Sequence, residues 1–208
     1  MKTQNRLRTI YSASANRHKI KEFNIILNPL DINVECFDNR DCPLPEVEES
    51  GITFEENAIL KATTIAKALD RVVISDDSGL EVHALNGEPG VYSARYAGPN
   101  ADDTDRMSKL LNELQNHSDR SGRFVCVIAL ASPNRLIGTS YGEVNGSIAL
   151  QARGSNGFGY DPIFIPDGFD QTFGELASSI KNMLSHRYIA LQNAVESGLF
   201  EKNPWHNQ

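Results

Sequence analysis

At 208 residues the chain is long enough for one well-buried core, and its 20 basic against 27 acidic residues leave a formal net charge of -7. That field repels nucleic acid and anionic membrane, and no apolar run approaches the roughly 20 residues of a membrane span, so neither is expected as a partner. The N-terminal stretch lacks the apolar core of a leader, and Cys36, Cys42 and Cys126 form no CxxC pair, which together predict a cytoplasmic protein of one domain over residues 1–208.

In chain order, Leu7–Ser12 reads as a first strand and Asn16–Leu27 as a helix, with Ile20, Phe23 and Leu27 at helical spacing. A strand over Ile32–Phe37 and a loop rich in Pro and acidic residues follow. Thr53, with Glu56 three positions on, marks a capping box that opens a helix running to about Leu69. Val72–Ser75 reads as a short strand, and the glycines of the next twenty residues predict a long irregular segment ending near Gly98. Met107, Leu110, Leu111 and Leu114 mark another helix. Arg123–Ser132 and Leu136–Val144 read as antiparallel strands joined by a short turn, and Pro162–Ile165 as a buried strand. Helices from about Glu175 to Met183 and from about His186 to Leu199 complete an α/β pattern with a mixed sheet.

Six polar clusters could carry chemistry. Ser14–Lys19 lies where a strand hands over to a helix, so N–H groups at the helix start and the Lys19 charge could receive an anion; an N-cap by Ser14 or Asn16 accounts for the same residues. Glu48–Gly51 is an acidic loop. Asn57 and Lys61, four apart on a helix, share a face that is either functional or solvated. Asp76 and Asp77, read as the C-terminal end of a strand and followed by Ser78 and Gly79, sit where open α/β sheets bind ligands; two such carboxylates suit Mg²⁺ bridging to phosphate, and a capped turn is the plainer alternative. Gly154–Pro162 sets Phe158 and Tyr160 among glycines, giving backbone access and a stacking surface for a base. In Lys181–Arg187, Ser185 can cap the last helix, which leaves His186 and Arg187 in its first turn, a place unfavourable for cations that an external anion, a base carbonyl or equally a nearby carboxylate would compensate.

Taken together, EESGITFEENAILKA, SDDSGLEVHALNGEPGVYSARYAG, GFGYDPIF and KNMLSHR resemble the inosine/xanthosine triphosphate pyrophosphatase family along nearly the whole chain. The resemblance implies an elongated mixed central sheet flanked by helices, two lobes around a nucleotide-binding cleft, and a homodimer. It also implies Mg²⁺-dependent hydrolysis of ITP, dITP and XTP to monophosphate and pyrophosphate, with one ion per subunit. Carried over by position, it makes Glu48 and Asp77 metal ligands, and Asp77, or its neighbour Asp76, the general base. Lys61 then lies beside the triphosphate, and Ser14, Ala15, Asn16, Arg17, His18 and Lys19 form the phosphate loop. Ser78, Phe158, Gly159, Tyr160, Asp161, Lys181, His186 and Arg187 become nucleotide contacts. The sequence departs from the family pattern at Ser14-Ala15, where Thr-Gly is usual, at His83, where aspartate is usual, and at Ser155-Asn156, where glycine is common. A non-catalytic nucleotide-binding module and a pyrophosphatase for modified pyrimidine nucleotides are the alternative readings.

Overall fold

The computed structural model describes residues 7–36 and 45–201. Phe37, the expected end of the second strand, and Cys42 lie outside them. The elements are β1 (Arg8–Ser12), α1 (Arg17–Leu27), β2 (Ile32–Cys36), α2 (Phe54–Leu69), β3 (Val73–Val82), α3 (Asp103–Glu113), β4 (Ser121–Ser132), β5 (Arg135–Ile148), β6 (Phe164–Pro166), α4 (Ser178–Leu184) and α5 (His186–Glu196). The strands form one mixed sheet in the order β2-β1-β3-β4-β5-β6. β1 pairs in parallel with β2 and β3, and β5 pairs antiparallel with β6. β4 and β5 are sheet neighbours joined by only Pro133 and Asn134, a connection that antiparallel strands alone can make. The α/β class with a mixed sheet and flanking helices is therefore as expected.

Two compact units are distinguished. The first draws on residues up to Asp77, on Val127–Gly142 and on the chain from Ala190; the second on Ser78–Cys126 and Glu143–Ile189. In the first, β1 buries Ile10, β2 buries Ile32 and Val34, and α1 turns Phe23 and Leu27 inward, all at most 2% exposed. The Asn24 side chain of α1 donates to the Val34 carbonyl at 2.8 Å and accepts from the Val34 N–H at 2.7 Å, satisfying the backbone of an edge strand. α2 contributes Ala58, Ala62, Ile65 and Ala66 to the buried set. In the second unit, Leu80, Val82, Phe124, Phe164 and Phe173 belong to one apolar cluster with Leu110 and Leu114 of the α3 region. Phe124 lies 4.6 Å from Phe164, centroid to centroid.

Several boundaries differ from expectation, β4 starting at Ser121, β5 running on to Ile148 and β6 spanning Phe164–Pro166, and three others have a clear local reason. β3 does not stop at Ser75; it runs ten residues, through both carboxylates, to Val82. Leu80 and Val82 are fully buried, and the two aspartates within the strand have basic partners, so nothing forces the strand to end. The supposedly irregular segment thus begins as strand and continues in short 3₁₀ turns at His83–Leu85 and Gly90–Arg95. Toward the end, Thr172 and Glu175 bond each other reciprocally: the Thr172 N–H donates to the Glu175 carboxylate at 2.9 Å and the Glu175 N–H to Thr172 Oγ1 at 3.2 Å. That turn keeps Glu175 out of α4, which starts at Ser178. α5 stops at Glu196 because Gly198 takes φ 68°, with N–H groups of Gly198 and Leu199 returning to Val195 and Ala194.

The caps follow the sequence closely. Asn16 caps α1, accepting from the N–H groups of His18 and Lys19, and Ser185 Oγ accepts from Tyr188 N–H at the start of α5. Thr53 caps α2 through Glu56 N–H, while the Glu56 carboxylate reaches one residue further back, to Ile52 N–H. α3 carries a full capping box, Asp102 with Asp105, which the apolar pattern did not signal.

Candidate functional site

The first unit holds a polar cavity of about 310 Å³ behind the end of β1, lined among others by Ser14, Ala15, Lys19, Glu49, Lys61 and Asp76. The chain leaves β1 through a knitted turn: Ser12 Oγ donates to the Ser14 carbonyl and accepts from the Ser14 N–H, and Ser14 Oγ accepts from Asn16 N–H. Ala15 keeps an ordinary negative φ, so the absence of glycine there carries no backbone strain. This turn sets Lys19, two residues into α1, against β3: Lys19 Nζ lies 2.9 Å from Asp76 Oδ2, whose side chain is fully buried. Arg17 and His18 project to the exposed side of the same turn and are not among the cavity's lining residues.

The second ion pair sits one residue on. Lys61 Nζ, from α2, meets Asp77 Oδ1 at 2.9 Å and Glu49 Oε1 at 2.8 Å. Burial pushes the Lys61 pKa down, but Asp77, Asp76 and Glu49 together outweigh it and the net shift is upward, so the amine stays charged at neutral pH. Asp77 is shifted up as well: burial raises it, Lys61 pulls it back, Glu49 raises it again and the Asn57 amide lowers it. Its Oδ2 is buried and makes no hydrogen bond. Asn57 is fully buried, so the face it shares with Lys61 belongs to the site and not to a solvated stripe. Glu48 is exposed on the loop before α2. The acidic residue that reaches Lys61 is its neighbour Glu49; the two glutamates are adjacent in sequence, and only the fold distinguishes them.

The second unit gathers most of the other candidates. Lys181 of α4 is 6% exposed and pairs with Asp161 at 2.5 Å; Asp161 also accepts from Phe158 N–H at 2.7 Å. The Phe158 ring has the Lys181 amine 4.8 Å and the Arg187 guanidinium 5.9 Å from its centroid. Arg187, only 1% exposed, donates to Ser78 Oγ at 3.0 Å. His186 stacks on Phe124 at 4.8 Å and 13° between planes. Gly159 N–H donates to Asp103 of α3, and the buried Tyr160 hydroxyl donates to the Ser93 carbonyl at 2.9 Å, so these two brace the loop. Asp103 and Phe124 are contributors that no sequence motif signalled. The other departures from the family pattern are absorbed locally. His83 Nδ1 meets Ser121 Oγ at 2.9 Å, and Asn156 ties the loop to Gly174 and Leu176 without a left-handed φ.

Chemically, the first unit offers two half-buried lysines and three carboxylates, all but Asp77 lining the polar cavity, a set that suits a phosphate chain and a hard cation. An orphaned buried oxygen on Asp77 fits a hard, oxygen-seeking ion. Among the described residues no group of three or more His, Cys, Asp or Glu is placed to hold a metal ion by itself. Cys36 is exposed and Cys126 is buried.

Comparison with known proteins points the same way. Residues 10–197 match the model of the Ham1 family. The chain is 46% identical over 188 residues to a dITP/XTP pyrophosphatase of Bacillus licheniformis, covering 89% of this chain and 95% of that protein. It is 49% identical over 185 residues to the dITP/XTP pyrophosphatase of Staphylococcus aureus strain MW2, covering 89% and 93%. Among solved structures, the Staphylococcus aureus Ham1 protein superposes with a TM-score of 0.82 at 47% identity, over 94% of this chain and all of that one. A HAM1 protein from Coxiella burnetii gives 0.84 at 42% identity, over 93% and 99%.

Proposed function

Because the chain belongs to the Ham1 family, we propose that it hydrolyses deaminated purine nucleoside triphosphates, ITP, dITP and XTP, to the monophosphate and pyrophosphate. The observation that carries this reading is the pair of ion pairs, Lys19 with Asp76 and Lys61 with Asp77, of which Lys19, Asp76 and Lys61 line one polar cavity. Lysines held in this way supply charge for a polyanion that a chain of net charge -7 could not otherwise bind. The family match crosses both units, which supports treating the chain as one catalytic domain. A homodimer in the cytoplasm is proposed on the family resemblance; no helix among the described residues is long and apolar enough to cross a membrane.

Mg²⁺, one ion per subunit, is the proposed cofactor, held by Asp77 with Glu48; when bound it would neutralise phosphate charge and favour hydroxide over water. The residues of this chain do the rest. Asp77, whose raised pKa brings it nearer neutrality, accepts the proton of the water that attacks the α-phosphorus. Asp76 holds Lys19 in place. Lys19 and Lys61, both cationic, stabilise charge on the departing pyrophosphate. Phe158 offers a face to the base. Arg187, His186 and Lys181 offer donors to the C6 carbonyl of hypoxanthine or xanthine, and adenine would set its amino group against them at a cost of about 1–3 kcal/mol for each unpaired donor.

The test is to incubate the protein with dITP, XTP, ATP and GTP in Mg²⁺ and to measure pyrophosphate and orthophosphate separately. Pyrophosphate from dITP and XTP well above that from ATP is expected. Orthophosphate as the main product would place the attack at the γ-phosphorus, and nucleotide binding without turnover would leave only a binding module.

A further inference from the structure

Asn57, in the opening turns of α2, has no part in the chemistry above, yet it is fully buried. Its Oδ1 accepts the Gly51 N–H at 2.8 Å. A backbone N–H needs an acceptor, so this contact fixes which end of the amide is oxygen. The nitrogen must then face the other way, and it is buried without a hydrogen-bond partner. A buried donor left in that state carries a desolvation cost that an apolar residue would avoid. The complementary atom is Asp77 Oδ2, a buried acceptor that likewise makes no well-formed hydrogen bond, and the Asn57 amide is placed to donate to the Asp77 carboxylate, whose pKa it lowers.

The other side of Asn57 is equally constrained. A Cβ on Gly51 would fall 2.7 Å from Asn57 Oδ1 and 2.7 Å from Glu56 Cβ, so the acidic loop lies directly on the amide. One helical turn further along α2, Lys61 takes Glu49 of the same loop and Asp77 of β3. Asn57 and Lys61 thus connect the same two pieces of chain, one with a neutral group and the other with a charge.

We propose that Asn57 is a positioning residue, which ties the Glu48–Gly51 loop to Asp77 and orients that carboxylate so that one oxygen meets Lys61 and the other faces the cation. The proposal rests on the metal-dependent reading above, so its test needs a readout that does not require turnover. Asn57→Asp keeps the acceptor for Gly51 and the side-chain volume, loses the donor, and sets a second carboxylate against Asp77. Gly51→Ala pushes the amide from the loop side without touching Asp77. For each variant, the rise in melting temperature produced by Mg²⁺ alone is measured, then the Mg²⁺ concentration giving half-maximal pyrophosphate release from dITP.

The expected result is a loss of ~10–100-fold in apparent Mg²⁺ affinity, as is usual when a group that orients a ligand is removed. The Mg²⁺-induced rise in melting temperature should shrink in parallel, and KM for dITP at saturating Mg²⁺ should stay as in the parent protein. Should Asn57→Asp fail to fold, Gly51→Ala decides alone. An unchanged Mg²⁺ response in the folded variants overturns the proposal, even if they melt earlier, because a merely structural asparagine would lower stability and leave the ion untouched. An unmodified chain that shifts with Mg²⁺ but releases no pyrophosphate would refute the assigned reaction and still leave this inference testable by the melting shift.

Discussion

A carboxylate buried beside a second carboxylate holds its proton to higher pH than one in water, and at Asp77 burial together with Glu49 pushes the pKa up by more than the Lys61 ion pair and the Asn57 amide pull it down. As pH falls, Asp77 is therefore protonated before an ordinary carboxylate would be, and kcat/KM should decline from a pH above the usual 3.8. Replacing Lys61 with Met removes the charge that favours the ionised form, so the acid limb of the pH profile should move further up. The sign for stability is opposite. The native state binds this proton more tightly than the unfolded chain, so the contribution of Asp77 is lost as pH rises through its raised pKa. Asp77→Asn is accordingly expected to lower kcat by about 10²–10⁴-fold, the range for losing a general base, while the melting temperature moves by only about 4 °C. Rate and thermal melting, measured on the same preparation, check both halves. At this scale the sequence disclosed the lysines and aspartates by residue type and position. It did not disclose Glu49, because which of two adjacent glutamates reaches Lys61 depends on the path of the loop.

Elements are set by the balance of local preference and tertiary partners, and the glycine loop before β6 shows the first while β3 shows the second. Gly157 sits at φ 79°, and a Cβ there would fall 2.0 Å from Asp161 Oδ2 and 3.0 Å from Lys181 Nζ. Gly157→Ala combines backbone strain with a clash on the Lys181–Asp161 pair, and it should raise KM for dITP more than it lowers kcat; steady-state kinetics separates the two. The same loop is held to α3 by Gly159 N–H on Asp103. Burial alone would raise the Asp103 pKa, but Arg106 and the Gly159 N–H outweigh it and the net shift is downward. Its stabilising contribution is then complete above the ordinary 3.8 and is lost as pH falls through the lowered value, so exchange protection of the Gly159 amide should fade over that acidic window. The glycine loop was legible from composition. The full length of β3 was not, since two consecutive aspartates look like a strand end until Lys19 and Lys61, from distant parts of the chain, are seen to neutralise them.

For the molecule as a whole, the decisive quantity is the charge already present in the cavity before any ligand arrives. Asp76 and Glu49 line it with Lys19 and Lys61, and Asp77 pairs with Lys61 beside it, three carboxylates against two amines. Pyrophosphate alone meets lysines that are already paired and carboxylates that repel it. Mg²⁺ alone meets carboxylates whose partners are cations. Each ligand removes the obstacle to the other, because a cation on the carboxylates frees the lysines for phosphate and phosphate on the lysines frees the carboxylates for the cation. Coupling of this kind is reciprocal and typically amounts to about 1–3 kcal/mol, a 5–150-fold change in affinity. The melting temperature should therefore rise with Mg²⁺ and pyrophosphate together by more than the sum of the rises that each produces alone. The excess should fall in Lys19→Ala, where Asp76 loses its ion pair and the cavity has less positive charge to release. Equal, additive shifts in the parent protein and in Lys19→Ala would mean that the two ion pairs are not exchanged on binding, and the lysines would then have to be assigned a role in holding the fold.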